Sequence, residues 1–335
     1  MAHEIRHRFI QTNGIRMHLA ETGAGPLVVL CHGFPESWYS WRHQLQSLAE
    51  AGFHAVAPDM RGYGQTDRPA AADKYTLLHL TGDMVGVLDA LGERTAVIAG
   101  HDWGAPVAWH AGLLRPDRFR AVIGLSVPFI PRSPAPPTTL MPQTENAQFY
   151  QLYFQTPGVA EAELERDVRR TVRSLLFSAS GDAPRPAEGT RAADVGMVPR
   201  EGGLLDRMVD PTVLPSWLTE ADIDFYVQEF TRTGFTGGLN WYRAQDLSWE
   251  MLAPFAGACV TVPSLYIAGD LDLVVAFRGM DQLIANLRIF VPQLSQTIML
   301  PGCGHWTQQE RAVEVSKAMV EFLHKLTGSN QSTNK

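Results

Sequence analysis

Between residues 26 and 127 one rhythm governs the chain: an apolar run, then a segment with helical periodicity. The runs are "PLVVLCHG" (26–33), "HAVAPDMRGYG" (54–64), "TAVIAG" (95–100) and "AVIGLSV" (121–127). Helical patterns separate them: "WRHQLQSLAEAG" (41–52), "LLHLTGDMVGVLDALG" (77–92) and a segment opening at Gly104 and running to about Arg115. A strand that is apolar at consecutive positions has no face left for water. Such strands alternating with helices form a parallel sheet covered on both sides. The rhythm then breaks. "PFIPRSPAPPTTLMPQ" (128–143) holds too much proline for a regular element, and 146–249 reads as mainly helical around a loose stretch at 180–203. The strand pattern returns in "TVPSLYIAGD" (261–270) and "QTIMLPG" (296–302), ahead of a last helix over roughly 308–326. The expected architecture is a mostly parallel central sheet flanked by helices and split by a helical cap. Residues 1–130 and 249–328 make the core, 131–248 the cap and 329–335 a disordered tail. An insertion that leaves and re-enters one sheet lies over the carboxyl ends of its strands, where open sheets bind ligands. That makes it a lid.

Composition removes several function classes. At 335 residues and 45% apolar, the chain can bury a sizeable core. Its net charge is -7, and its most basic stretch, "ERDVRRTVR" (165–173), alternates arginines with acids at helical spacing. That is a solvated helix face, so no nucleic-acid partner is expected. Cys31, Cys259 and Cys303 form no C-x-x-C, which argues against a disulfide framework or a structural zinc site. Cys31, inside an apolar run, reads as a small buried hydrophobe. The amino terminus lacks an apolar signal region, and no run approaches the roughly 20 residues of a membrane helix. A cytoplasmic protein without membrane insertion is expected. "GYG" at 62–64 lacks the third glycine of a dinucleotide fingerprint, and there is neither a P-loop nor an H-E-x-x-H. No cofactor or metal is expected.

Chemistry concentrates at three places. "GHDWG" (100–104) sits where a strand turns into a helix, the position at which G-x-S-x-G carries a nucleophilic serine; here the tip is Asp102. His305 lies in "LPGCGHW", between the last apolar run and the final helix. The run 261–270 is followed by Asp270 and Asp272 in "AGDLDLV". Asp272, a few residues past the strand and ahead of an apolar residue, fits an orienting acid better, and Asp270 fits a turn cap. Ser126, Val127 and Pro128, after the run 121–127, offer no acid there. The order nucleophile, acid, histidine is similar to that of the α/β-hydrolase fold. In "CHGFPESW" (31–38) the Phe34 N–H, with that of Trp103, is placed to form an oxyanion hole. A serine that attacks a saturated carbon makes an ether that water does not cleave. A carboxylate makes an ester, whose carbonyl water can attack once His305 takes its proton. An unperturbed aspartate, pKa about 3.9, needs no base for the first step.

Alkyl halides and epoxides both suit such a nucleophile. An opening epoxide develops alkoxide charge and needs a proton, which tyrosine, pKa about 10, retains at neutral pH. The cap offers Tyr150, Tyr153, Tyr226 and Tyr242. "HGFPESWYSWRHQL", "RGYGQTDRP", "GHDWGAPVAW", "YQLYFQTPGVAEAELE" and "LNWYR" together resemble the epoxide hydrolases of the α/β-hydrolase superfamily, the soluble epoxide hydrolase group in particular, from about residue 8 to 325. The resemblance implies Asp102 as nucleophile, Asp272 and His305 as charge-relay pair, and Tyr150 and Tyr242 as donors to the epoxide oxygen. It further implies a pocket lined by Phe34, Trp103, Gln151 and Phe154, and a detoxifying hydrolase whose partners are a small apolar epoxide and water, as a monomer or homodimer. The phosphatase activity of the larger mammalian members is not expected. Two rival readings remain: a haloalkane or haloacid dehalogenase using the same aspartate, and a hydrolase-fold receptor that binds without turnover. The stretch 180–203 matches the family least.

Overall fold

An Asn-Gly pair starts the sheet. The computed structural model describes residues 3–184 and 195–332. Asn13 and Gly14 both adopt positive φ (44° and 76°), the requirement of a two-residue hairpin turn whose twist matches the strands it joins. They join β1 (Arg6–Thr12) to β2 (Ile15–Thr22), with Thr12 facing Ile15. The sequence reading placed no strand before Leu27. β2 is buried at nearly every position, so it lacks the in-out alternation that marks a hairpin strand.

Eight strands build the main sheet. After β1 and β2 come β3 (Leu27–Cys31), β4 (His54–Pro58), β5 (Ala96–His101) and β6 (Phe119–Leu125). A short pair follows, β7 (Ala147–Phe149) and β8 (Met197–Pro199), and then β9 (Ser264–Gly269) and β10 (Leu294–Leu300) close the main sheet. The order is β1-β2-β4-β3-β5-β6-β9-β10. The pairs β1–β2 and β2–β4 are antiparallel and the others parallel. Alternate residues of the central strands feed two cores. Val29, Cys31, Val56, Ile98 and Val122 meet the helices Leu77–Leu91 and Gly104–Leu114. Val28, Leu30, Ala55, Val97 and Ile123 meet the helices Arg42–Glu50 and Ala312–Ser332. This is why the runs read as continuously apolar.

The strand order reverses at β3, whose chain crosses to β4 on one side while β5 lies on the other. Ligands bind an open sheet at such a switch point, outside the carboxyl ends of its strands. The loop after β3 begins at His32 and the turn after β5 at Asp102, with Cys31 registered against Gly100. The turn is tight. A Cβ on Gly104 would stand 2.1 Å from the Cys31 carbonyl oxygen, so the helix can start this close to β3 only with glycine there.

Between β6 and β9 the chain forms the helices Val159–Leu164, Val168–Ser178, Glu220–Thr233, Thr236–Arg243 and Gln245–Met251. They are anchored to the strand-end loops: the Trp241 indole donates to the Arg61 carbonyl at 2.9 Å and the Trp306 indole to the Leu176 carbonyl at 2.7 Å. Several expectations need correction here. The insertion also holds the antiparallel pair β7–β8; strands of three residues are too short to leave a periodic signal. The proline-rich stretch contains one helical turn, Pro137–Leu140, because proline suits the first position of a helix. The last helix is broken at Arg311, giving Thr307–Glu310 and Ala312–Ser332. It extends past the expected end at 326 because a helix already nucleated by packed turns propagates where no proline stops it. Of the expected disordered tail, 333–335 lie outside the described residues, as do 185–194 of the loose stretch.

Gly104→Ala is expected to lower stability by about 1–3 kcal/mol through overpacking against β3, measured as a lower urea midpoint at unchanged slope. An unchanged midpoint would contradict the close approach of helix and strand.

Candidate active site

Asp102 stands at the end of β5 with φ +49°, a left-handed conformation uncommon outside glycine and often found at functional turns. The turn presents its carboxylate, 9% exposed, to the switch-point crevice. The Phe34 N–H donates to Asp102 Oδ1 at 2.8 Å. Trp103, next in the chain, heads the helix Gly104–Leu114. Burial alone would raise the Asp102 carboxyl, but hydrogen bonding and charge attraction to His305, then His101 and the Phe34 N–H, hold it below the usual carboxylate range.

His305 reaches both acids. Its Nε2 lies 3.3 Å from Asp102 Oδ2, and its Nδ1–H donates to Asp272 Oδ1 at 2.9 Å. Burial opposes the charged imidazole, yet Asp272 and Asp102 together push His305 well above its ordinary 6.5. Asp272, 1% exposed, is fixed in turn by the Val274 N–H, which donates to its Oδ1 at 2.9 Å. Asp270 points elsewhere and accepts from the Gly302 N–H at 2.7 Å.

Several partners of this site were not read from the sequence. Ser126, at φ +67°, places its hydroxyl 3.1 Å from His305 Nδ1, on the loop where only an acid had been sought. His101 Nε2–H donates to the His305 carbonyl at 2.7 Å, while its Nδ1 meets the fully buried Glu36 carboxylate at 2.9 Å. Gln308 and Gln309 donate to the other Glu36 oxygen. The His101 in "GHDWG" thus braces the loop that carries His305. Its partners lie 65 and 204 residues away, beyond the reach of local pattern.

Four cap tyrosines were candidates, and their surroundings differ. Tyr153 donates to Glu163 at 2.8 Å, and the Tyr226 hydroxyl lies beside Gln309. Tyr150 and Tyr242 are neighbours, ring centroids 6.0 Å apart, and the Tyr242 ring stands edge-on to Trp103 at 5.1 Å. Burial, then the charge of Asp102, pushes both hydroxyls far above the ordinary 10, so both keep their protons. Gln151 donates to the Tyr150 hydroxyl at 3.0 Å, leaving its proton free for another acceptor. Two devices set these rings. The Tyr150 N–H donates to the Gly196 carbonyl at 2.8 Å, just ahead of β8, so the small sheet fixes Tyr150. Arg243, next to Tyr242, grips both oxygens of Glu161 and the Phe154 carbonyl. Both tyrosine segments are thereby locked together.

A cavity of about 510 Å³ reaches Asp102. Trp103, Tyr150 and Gln151 line it, with apolar walls from Val127, Phe129 and Trp249. Half-exposed Ile130, Leu140 and Phe255 also belong to its lining. Phe34 and Phe154, expected to line the pocket, are not among the residues that line this cavity, and neither is Tyr242; the three are 6%, 1% and 3% exposed, and both phenylalanine rings pack edge-on against Tyr242. Phe154 and Phe235 also pack edge-on against Phe34, so the rings form one aromatic cluster. Among the described residues no cluster of His, Cys, Asp and Glu could hold a metal ion, and no helix is long and apolar enough to cross a membrane.

Comparison with known proteins places the chain in a family. Residues 26–312 match the family model of the alpha/beta hydrolase fold. The chain is 47% identical to epoxide hydrolase A of Mycobacterium tuberculosis over 94% of its own length and 96% of that protein's. It is 38% identical to the bifunctional epoxide hydrolase 2 of Mus musculus over 96% of its length, covering 56% of that longer protein. The solved structure of an epoxide hydrolase from an endophytic Streptomyces superposes with a TM-score of 0.92 at 48% identity, covering 97% of this chain and 96% of that one.

The raised pKa of His305 has a definite sign. Its ion pairing contributes stability that is complete below the ordinary 6.5 and is lost as pH rises through the folded value. NMR titration of the resting protein is expected to find His305 as imidazolium well above pH 6.5. Asp102→Asn should move that titration down, since one raising partner is lost. A resting His305 titrating at or below 6.5 would contradict the pairing.

Proposed function

We propose, for a chain that belongs to the epoxide hydrolases of the α/β-hydrolase fold, how its residues divide the opening of an epoxide to a vicinal diol. The observation that carries the reading is the pairing of a desolvated, ionised Asp102 with two tyrosines that hold their protons in its field. Asp102 attacks one epoxide carbon while Tyr150 and Tyr242 hold the oxygen, and one of them gives it a proton. A hydroxyalkyl ester forms on Asp102. Its charge is then gone, so one of the two anions that keep His305 protonated disappears. The imidazolium passes its proton, through water, to the tyrosinate. Neutral His305, held by Asp272, next takes a proton from water, which attacks the ester carbonyl. The Phe34 and Trp103 N–H groups stabilise the oxyanion, and the Phe34 N–H is already directed at that oxygen in the resting state. The ester collapses to the Asp102 carboxylic acid and diol, the departing oxygen taking the proton from His305, and the acid then gives its proton to neutral His305, which restores the resting carboxylate and imidazolium. No cofactor takes part.

The cavity also bears on substrate shape. About 510 Å³ is mid-range for a small-ligand site, and its walls favour an apolar substituent. The rings of Phe34, Phe154 and Tyr242 pack against one another, and we read this cluster as the narrow side of the site, next to the other epoxide carbon. Elongated apolar epoxides with one small or absent second substituent therefore fit best.

His305→Gln is expected to accumulate the ester, read as an intact-protein mass increase equal to the epoxide, while Asp102→Ala should give none. Tyr150→Phe and Tyr242→Phe should each slow ring opening by about 10-fold or more, the general-acid contribution being roughly 10²–10⁴. A His305→Gln enzyme that turned over normally would remove His305 as the base. Halide release from a haloalkane at a kcat/KM matching diol formation, unaffected by the tyrosine changes, would favour the dehalogenase reading. A 1,2-epoxyalkane is expected to exceed its trans-disubstituted isomer in kcat/KM; the reverse order would contradict a narrow side at the aromatic cluster.

A further inference from the structure

One buried carboxylate outside the groups that would meet substrate joins the cap to the loop of His305. Glu310 is 8% exposed and ends the one-turn helix Thr307–Glu310. Its Oε2 accepts from the Gly304 N–H at 2.8 Å and from the Gly181 N–H at 2.9 Å. Its Oε1 accepts from the Trp306 N–H at 2.9 Å. Gly304 and Trp306 flank His305, whereas Gly181 belongs to the insertion. The His305 N–H donates to another cap group, the Ala179 carbonyl, at 2.8 Å. Three successive amides of the base's loop are thus held, two by Glu310 and one directly by the cap. The contact is close: a Cβ on Gly304 would stand 2.3 Å from the Gly181 nitrogen. Among the described residues no Lys, Arg or His side chain forms an ion pair with Glu310; backbone N–H groups carry its charge.

We propose that Glu310 is a positioning residue that clamps the cap and the His305 loop into one unit, so that the base keeps its line on the Asp102 ester. The inference rests on the role given to His305 above. Attack of Asp102 on the epoxide carbon needs no base, and the Tyr150 and Tyr242 segments are held by the Gly196 carbonyl and the Arg243–Glu161 pair and not by Glu310, so loosening the clamp acts mainly on ester hydrolysis. Glutamine at 310 keeps the volume but turns one acceptor into a donor. An amide NH₂ then confronts either the two glycine N–H groups or that of Trp306, and the clamp opens on one side.

The test is single-turnover rapid quench of Glu310→Gln with 1,2-epoxydecane, following ester by intact mass and diol by chromatography. Ester formation is expected to stay within about two-fold of wild type while its hydrolysis slows by about 10- to 100-fold, the scale of a small misplacement of a catalytic group. Glu310→Asp, which keeps the charge on a shorter arm, should recover part of the hydrolysis rate. Unchanged rates in both steps, or both steps slowed alike, would overturn the proposal. If Glu310→Gln does not fold, Glu310→Asp decides by the same split, slowed hydrolysis with unaltered ester formation supporting the clamp and any other pattern overturning it. A wild-type enzyme that releases diol without any ester would overturn the reaction reading, and the clamp with it, a result distinct from normal hydrolysis in the variant.

Discussion

A carboxylate withdrawn from water at the end of a strand is the constraint around which this site is arranged. Asp102 is almost fully enclosed, and burial by itself would protonate it and end its use as a nucleophile. It stays ionised because Phe34 offers an N–H and His305 a positive charge. His305 is in turn held well above its ordinary pKa by a second buried acid, Asp272, standing behind it, together with Asp102 itself. Removing one member of such a buried pair typically costs about 3–5 kcal/mol, since the remaining charge is stranded. Burial and the field of Asp102 keep Tyr150 and Tyr242 protonated, so in the proposed reaction one charge serves both nucleophile and acid.

The fold supplies these groups from distant segments by a simple division. The sheet's switch point brings the loop after β3 against the turn after β5, which sets the Phe34 N–H on Asp102. The loops after β9 and β10 bring Asp272 and His305. The insertion brings both tyrosines, and Arg243 with Glu161 ties their segments together. Core and insertion are joined through the His305 loop itself, by Ala179, Leu176 and Glu310. The insertion and the loop that carries His305 are therefore fastened directly to each other.

What could be read from the sequence follows from range. Asp102, Asp272 and His305 stand just past apolar strands, and strand ends are legible because a buried parallel strand needs an unbroken apolar run; the structure brings the three within reach of one another. Asn13-Gly14 was also a local signal, a hairpin turn that went unread because β2 does not alternate. Ser126, Glu36 and Glu310 act through contacts between segments far apart in the chain, to which local periodicity is blind. The same holds for Tyr150 against Tyr153. A helical turn separates them, and what distinguishes their surroundings is the β7–β8 pair and the Glu163 carboxylate. Phe34 shows the limit from the other side: its backbone is where the motif placed it, while its ring turns away from the cavity into the aromatic cluster.

The central claim is that water attacks the protein and not the substrate. A single turnover with enzyme in excess, in water labelled with oxygen-18, followed by proteolysis and mass spectrometry of the peptide containing Asp102, tests it directly. The account predicts that the label enters the Asp102 carboxylate while the first diol released carries ordinary oxygen. Label appearing in that first diol, with Asp102 unlabelled, would contradict it.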